Sequence, residues 1–290
     1  MRLIAWFARA VSFIVICFPR RWQLWLGDII GIIWFDVLRI RRDLVIANIG
    51  RAFPQMTLSE KVKLGRRSLC HQGRTLIEFC HFPFFEKQDV DHHFDLVGVD
   101  HVHKALEQGK GVCLMTCHVG SGDFATAALS LKGLPIYLIS KEFKLKWLND
   151  YWFGLRGRMG TKFIKPRNSS YEILKALKDN GVVIFVQDQF MGPPVGAKTT
   201  FFGIETGSAL GLSVIARKTK SPILPIYTYR RDDGHQVVAI EEEIPWEEKG
   251  NKEATLVHMT QVFNDRIEEM VRLHPDQWMW LHRRWKRFKH

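Results

Sequence analysis

Residues 112–117, 136–140, 161–164, 182–186 and 223–229 form a series of short, largely apolar runs set apart by stretches of helical length. Strand-sized runs that alternate with helical patterns predict an α/β fold with a mainly parallel central sheet and flanking helices. The most apolar of them, 112–117 and 182–186, suit strands buried on both faces. The helices expected between the strands cover 123–131, 145–158, 170–178 and 207–218, with a loop over 191–203. Asp232-Asp233-Gly234 marks a hairpin turn that brings 236–241 back against 223–229. Upstream, a helical pattern over 43–85 breaks at Ala52-Phe53-Pro54 and restarts from an expected Ser59 cap with Glu60 in its first turn. Residues 90–97 read as a strand, 101–107 as a short helix and 254–273 as a long one.

In such a sheet, functional groups gather at the C-terminal ends of the strands. Two of the runs deliver them there. Residues 112–117 lead into His118-Val119-Gly120-Ser121-Gly122-Asp123, and 182–186 lead into Gln187-Asp188-Gln189. His118 and Asp123 are five apart, about 140° round a straight helix, so a helix would not bring them together. A strand end followed by a glycine turn and a helix start would. Asp123 suits a helix N-terminus, and an imidazole held by a carboxylate is a general-base arrangement. A capped turn with an incidental histidine is the competing reading, and the convergence of His118 and Asp188 on strand ends weighs against it.

The first residues pose a different problem. Residues 3–18 are apolar and aromatic but contain Arg9, which shares a helical face with Arg2. They are short for a spanning helix, which needs about 20 residues. No small-residue cleavage site follows, so a signal peptide is not expected. After the basic hinge Pro19-Arg20-Arg21-Trp22, a second apolar stretch over 25–38 carries Asp28 and Asp36 and meets Arg39, Arg41 and Arg42. The expectation is a membrane-associated helical hairpin over 1–42, lying in an interface, ahead of a catalytic domain over 43–290. A single tilted span and a soluble core hairpin are the alternatives. The net charge of +12 favours an anionic partner. The tail from His282 to His290, with Trp285 and Phe288 among its Arg and Lys residues, suits an anionic membrane surface. No nucleic acid partner is expected, because the apolar N-terminus calls for a membrane.

The five cysteines are odd in number and form no C-x2-C pair, which reads as reduced, packed thiols of a cytosolic compartment. The pairs Cys70-His71, Cys80-His81 and His92-His93 lack the spacing of a metal site, so no metal is expected.

Taken in order, these residues resemble the late acyltransferases of lipid A biosynthesis, a family within the lysophospholipid and glycerolipid acyltransferase superfamily. The resemblance runs over nearly the whole chain. It is carried by Asn48-Ile49, Ala52-Phe53-Pro54, His118-x4-Asp123, Arg156-x-Arg158-x-Gly160, Asp188 with Gly192-Pro193, Phe201-Phe202-Gly203 and Leu224-Pro225. The ending from His274 to Lys286 is the most specific piece. Many members carry Glu where this chain has Asp123, which keeps the carboxylate on a shorter side chain.

The resemblance implies a glycerolipid-acyltransferase-like fold, no cofactor, and a location on the cytoplasmic face of a bacterial inner membrane. It also implies an acyl donor that is a thioester of acyl carrier protein or of CoA. The acceptor it implies is a hydroxyl of a lipid A precursor or a related glycolipid. His118 would then be the base that takes the hydroxyl proton, with Asp123 orienting the ring and stabilising the imidazolium. Gly120-Ser121-Gly122 lacks nucleophile-elbow spacing, so direct transfer is expected rather than an acyl-enzyme. Gly120 and its neighbours, or Arg156 and Arg158, are candidate oxyanion donors. Arg156, Arg158 and Lys162 read either as phosphate binders or as a solvated charge cluster. Asp188 reads as a substrate-site group or a support for the loop after it. Phe201 and Phe202 read as core more readily than as an acyl-chain wall. Competing functions are the same chemistry on another glycolipid or a phospholipid, a silent lipid-binding scaffold, and an acyl hydrolase in which His118 activates water.

Overall fold

The computed structural model describes residues 2–166 and 169–288. The N-terminal part is helical: α1 (Arg2–Ile16), α2 (Arg20–Ile32), α3 (Arg42–Ala52) and α4 (Leu58–Glu78). After a short helix α5 (Val90–His93) come β1 (Phe94–Val97), α6 (Val99–Leu106) and β2 (Val112–Thr116). The alternation then continues through α7 (Gly122–Leu131), β3 (Ile136–Ile139), α8 (Lys146–Arg158), β4 (Lys162–Ile164), α9 (Ser170–Lys178) and β5 (Val182–Val186). A hairpin of β6 (Gly196–Phe201) and β7 (Ile204–Ala209) precedes α10 (Gly211–Thr219), β8 (Ile223–Arg230), β9 (Gln236–Ile240) and α11 (Lys252–Leu273).

Seven strands form the main sheet in the order β1-β9-β8-β2-β5-β3-β4. The run from β8 to β4 is parallel throughout. β9 pairs antiparallel with β8, and β1 runs parallel to β9. The fold is therefore α/β with a mostly parallel central sheet and helices on both faces. β2 lies at its centre, and its side chains alternate between two cores. Cys113, Met115 and Cys117 join one, with Phe263, Trp278 and Trp280, while Val112 and Leu114 join the other, with Phe82 and Phe124. Burial on both faces is the reason this strand is apolar at nearly every position.

Three expectations need correction. The α4 cap is Thr57 rather than Ser59: Thr57 Oγ1 accepts from Glu60 N, and the Glu60 carboxylate accepts from Thr57 N. That reciprocal pair needs an acid three residues after the cap, which Thr57 has and Ser59 lacks. Residues 90–97 are not strand throughout, because Val90–His93 continues a capped turn (Glu86 with Asp89) as a short helix. The expected loop over 191–203 is instead largely part of the antiparallel β6–β7 hairpin, which also takes the first residues of the helix expected over 207–218, so that α10 begins at Gly211. The hairpin's turn residues Phe202 and Gly203 both have positive φ, 53° and 70°, as a two-residue turn between twisted strands requires.

The N-terminal hairpin is tied to the rest of the chain more closely than its sequence suggests. No described helix is long and apolar enough to cross a membrane. α2 is packed on α4 through glycines: a Cβ on Gly31 would sit 2.3 Å from Cys70 Cα, and one on Gly73 would sit 2.1 Å from Gly27 O. Asp28 pairs with Arg74 at 2.7 Å, Asp36 with Arg66 at 2.6 Å and Arg20 with Glu78 at 2.7 Å, all across the expected boundary at residue 42. The acids that looked out of place in an apolar stretch thus answer arginines on α4. α1 differs from α2. Trp6 and Phe7 are more than 70% exposed, and Val11, Phe13, Ile14 and Phe18 are also exposed.

Candidate active site

β2 and β5 are neighbours, with Thr116 opposite Val186. Two residues further on, the register sets His118 beside Asp188. Nδ1 of His118 lies 2.7 Å from Asp188 Oδ1, and the His118 backbone N–H donates to Oδ2 at 2.8 Å. Trp278 Nε1 donates to the same Oδ2 at 2.7 Å. Asp188 has no exposed surface, while the His118 side chain keeps 30% of its own. Burial pushes the Asp188 carboxyl up, but the positive imidazole and the hydrogen bonds from His118 outweigh it and hold the group well below the usual carboxylate range. An ionised carboxylate only accepts, so Nδ1 carries the hydrogen and Nε2 is left with the lone pair. Burial alone would lower the pKa of His118; Asp188, with a smaller contribution from Asp123, raises it above its ordinary value.

The partner of the imidazole is therefore Asp188, not Asp123. Asp123 stands at the start of α7 and accepts from Arg156 at 2.5 Å. Arg156 is almost wholly buried, with its guanidinium over the rings of Phe163, Phe153 and Trp152 at 4.5–5.2 Å. That enclosure and its ion pair leave it little freedom to follow a phosphate. Arg158 donates to the carbonyl of Phe82 at 3.0 Å and braces the chain there. Lys162 reaches the Tyr137 hydroxyl at 3.2 Å and is exposed. Phe201 is fully buried and Phe202 nearly so, both in the core. Among the described residues no cluster of His, Cys, Asp and Glu has the makings of a metal site.

Gly120 makes the sharp turn after His118. Its φ is +63°, and a Cβ there would lie 2.3 Å from the carbonyl oxygen of Thr228. Several amides of the turn are spent inside the fold. His118 N–H goes to Asp188, Val119 N–H to Cys117 O at 2.9 Å, and Gly120 N–H to Gln277 O at 3.1 Å. This disfavours the first half of the turn as the oxyanion donor.

The C-terminal segment holds the turn in place. Val119 bridges to Trp278, and Met279 N–H donates to His118 O at 3.0 Å. The side chain of Gln277 bonds both the N–H and the C=O of Arg230, each at 2.8 Å. Asn48 Nδ2 donates to the carbonyls of Trp280 and His282 at 2.8 Å, and Ser68 Oγ to that of Trp278 at 2.7 Å. The His282 ring lies 4.9 Å from that of His118. The reading of this tail as a headgroup binder is corrected over part of its length. Arg284 is fully buried, donating to Gly207 O at 2.6 Å and Ser208 Oγ at 2.7 Å, and Trp285 Nε1 donates to Phe201 O at 2.9 Å. Lys289 and His290 lie outside the described residues. Gln277 and His282 carried no chemical signal of their own in the sequence; their place inside the most specific block was the one hint.

The sequence matches the family model described as bacterial lipid A biosynthesis acyltransferase over residues 1–287. The chain belongs to that family. Among the relatives of this lipid A acyltransferase family member is the lipid A biosynthesis lauroyltransferase of Escherichia coli (strain K12). It is 24% identical over 294 residues, covering 92% of each chain. The palmitoleoyltransferase of the same organism is 25% identical, covering 98% of this chain and 91% of its own. A phosphatidylinositol mannoside acyltransferase of Mycolicibacterium smegmatis is 22% identical over 76% of this chain and 71% of its own. Among solved structures, a 1-acyl-sn-glycerophosphate acyltransferase of Thermotoga maritima aligns over 93% of this chain and 100% of its own. Its identity is 12% and its TM-score 0.40, too weak a likeness to carry an argument. By family the chain is an acyltransferase of lipid A biosynthesis.

Proposed function

We propose that the protein transfers a fatty acyl group from an acyl thioester, of acyl carrier protein or CoA, to a hydroxyl of a lipid A precursor. The reaction takes place at the cytoplasmic face of a bacterial inner membrane. The observation that carries the mechanism is the partly exposed His118 ring set against a fully buried, ionised Asp188. With Nδ1–H committed to Asp188, Nε2 takes the proton of the acceptor hydroxyl as its oxygen attacks the thioester carbon. The tetrahedral oxyanion collapses, the C–S bond breaks, and the leaving thiolate takes the proton back from the imidazolium. Asp188 fixes the tautomer and stabilises the imidazolium; Asp123, held by Arg156, adds a second, weaker negative field at His118.

The lipid acceptor and the membrane setting are supported by the names of the two Escherichia coli relatives and by the exposed apolar face of α1. In this reading residues 43–290 are the catalytic unit. α1 and the exposed face of α2 form its membrane-facing appendage, with α2 fastened to α4 on its other side. Mass spectrometry of lipids from cells with and without the chain tests the proposal. A hexa- or penta-acyl lipid A species that appears only with the chain supports it. A change confined to mannosylated phosphatidylinositol, the acceptor in the name of the mycobacterial relative, would refute the lipid A acceptor while keeping the chemistry.

A further inference from the structure

Between β3 and α8 the chain reads Lys141-Glu142-Phe143-Lys144-Leu145-Lys146-Trp147. Every residue of it is exposed, including Phe143 at 46%, Leu145 at 57% and Trp147 at 39%. The segment is not slack. Phe143 N–H donates to Asn149 Oδ1 and Asn149 N–H to Leu145 O, both at 2.9 Å, so the apolar side chains are displayed by a hydrogen-bonded turn. Among the described residues Lys141, Lys144 and Lys146 have no acidic partner; Glu142 pairs instead with Lys165.

Trp147, Tyr151 and Leu155 recur every fourth residue and so share one stripe of α8. Tyr151 and Leu155 line a cavity of about 260 Å³ together with Ala5, Trp6 and Arg9 of α1 and with Pro83. Trp147 is exposed while Tyr151 and Leu155 are half-buried, so the stripe runs from the exposed segment to the edge of α1 at that cavity. The neighbouring stripe of the same helix carries Trp152 and Arg156, and Arg156 holds Asp123.

We infer that residues 141–147 and the Trp147–Tyr151–Leu155 stripe form a second contact with the surface of an anionic bilayer, beside α1. The inference rests on the lipid-acceptor reading above and deepens it, because α8 then stands with one face on the membrane and the adjacent one at the site. The occupant follows from the chemistry of the display. Exposed Phe, Leu and Trp enter the boundary between headgroups and acyl chains, and the interleaved Lys stems lie along it with their ammonium groups on lipid phosphates. An acidic protein would match the lysines but not three bulky apolar groups displayed to solvent beside the apolar face of α1.

The test uses the full chain with the exposed thiol removed, Cys17→Ser, and Leu145→Cys labelled with an environment-sensitive dye; the same chain without Leu145→Cys serves as the labelling control. Vesicles of phosphatidylglycerol and phosphatidylethanolamine should shift the emission to the blue and bring it within reach of a shallow lipid quencher. Acyl carrier protein should not. A dye that stays aqueous while the protein floats with the vesicles overturns the inference, and so does a response to acyl carrier protein alone. This readout needs no turnover, so it fails separately from the proposed activity. In a second arm, Lys141→Glu, Lys144→Glu and Lys146→Glu together should weaken vesicle partition by roughly tenfold or more. They should also raise KM for acceptor presented in vesicles and leave turnover of detergent-dispersed acceptor unchanged. Equal loss on the dispersed acceptor would assign the lysines to the site and overturn the bilayer contact.

Discussion

Asp188→Asn is the most informative single change. Three donors converge on the two carboxylate oxygens: the Nδ1–H of His118 on Oδ1, and the backbone N–H of His118 and the indole N–H of Trp278 on Oδ2. An asparagine offers one oxygen and one NH2. If its oxygen takes the Oδ1 place, the NH2 faces two N–H donors, and leaving these buried groups unsatisfied costs about 1–3 kcal/mol each. If its oxygen takes the Oδ2 place, both of those donors stay paired and the NH2 faces Nδ1, which must then accept. The second arrangement wins. It forces the hydrogen onto Nε2 and removes the lone pair that should take the acceptor proton. A wrong tautomer in a His–carboxylate pair costs roughly 10⁴ in kcat, or about 5.4 kcal/mol of barrier at 1.36 kcal/mol per decade. The assay is transfer of labelled acyl chain to a lipid acceptor by purified, folded variant, with thermal unfolding as the check on fold. A kcat within tenfold of the wild type would refute the assignment of Asp188.

The remaining predictions are these. Because Asp188 raises the pKa of His118 above 6.5 and the base must be neutral, the acid limb of kcat/KM should rise with pH through a midpoint above 6.5; a midpoint below it would contradict the pairing. Stability should fall as the pH is lowered through two windows. Burial, the charge of His93 and Arg20 depress His81, and burial and Arg20 depress His93, both to about 4. Folded-state pKa values below the unfolded value of 6.5 contribute stability that is present above 6.5 and lost as pH falls towards 4. Glu78 is buried, which raises its pKa, but Arg230 and Arg20 bring it down to about 2, so its share is lost between about 4.5 and 2. Denaturant titrations of wild type and His93→Gln should differ in slope across the first window only. Gln277→Ala should leave the Arg230 backbone N–H and C=O unpaired, at about 1–3 kcal/mol each. It should also loosen the Gly120 turn, lowering kcat by ~10–10² with little change in KM; an unchanged kcat would mean the turn holds without it.

The central strand and its histidine were legible because burial on both faces writes an apolar run that polar neighbours interrupt only at the strand end. Asp188 was legible as a strand-end group for the same reason. Its pairing with His118 was not, since it depends on Thr116 lying opposite Val186, a long-range register that no local pattern carries. The five-residue spacing of His118 and Asp123 suggested the nearer carboxylate, but Arg156, 33 residues on, claims Asp123 first. The β6–β7 hairpin was hidden by a phenylalanine at a turn position that usually takes Asn or Gly. The packing of α2 on α4 was not legible, because Gly27, Gly31 and Gly73 look like flexibility in a sequence and act as close packing in space. The tail was misread for a related reason: Arg284 and Trp285 look like part of a basic aromatic surface until Gly207, Ser208 and Phe201 are seen binding them from within.

The most direct test of the account follows an acyl thioester mixed with purified protein, with and without the lipid acceptor, for wild type and His118→Ala. Loss of thioester should depend on acceptor and be matched by acylated lipid. The protein mass should remain free of acyl adduct, and His118→Ala should slow transfer by roughly 10²–10⁴ while keeping its fold. Rapid release of free fatty acid without acceptor, a competent acyl-protein adduct, or near-wild-type transfer by the folded His118→Ala variant would contradict it.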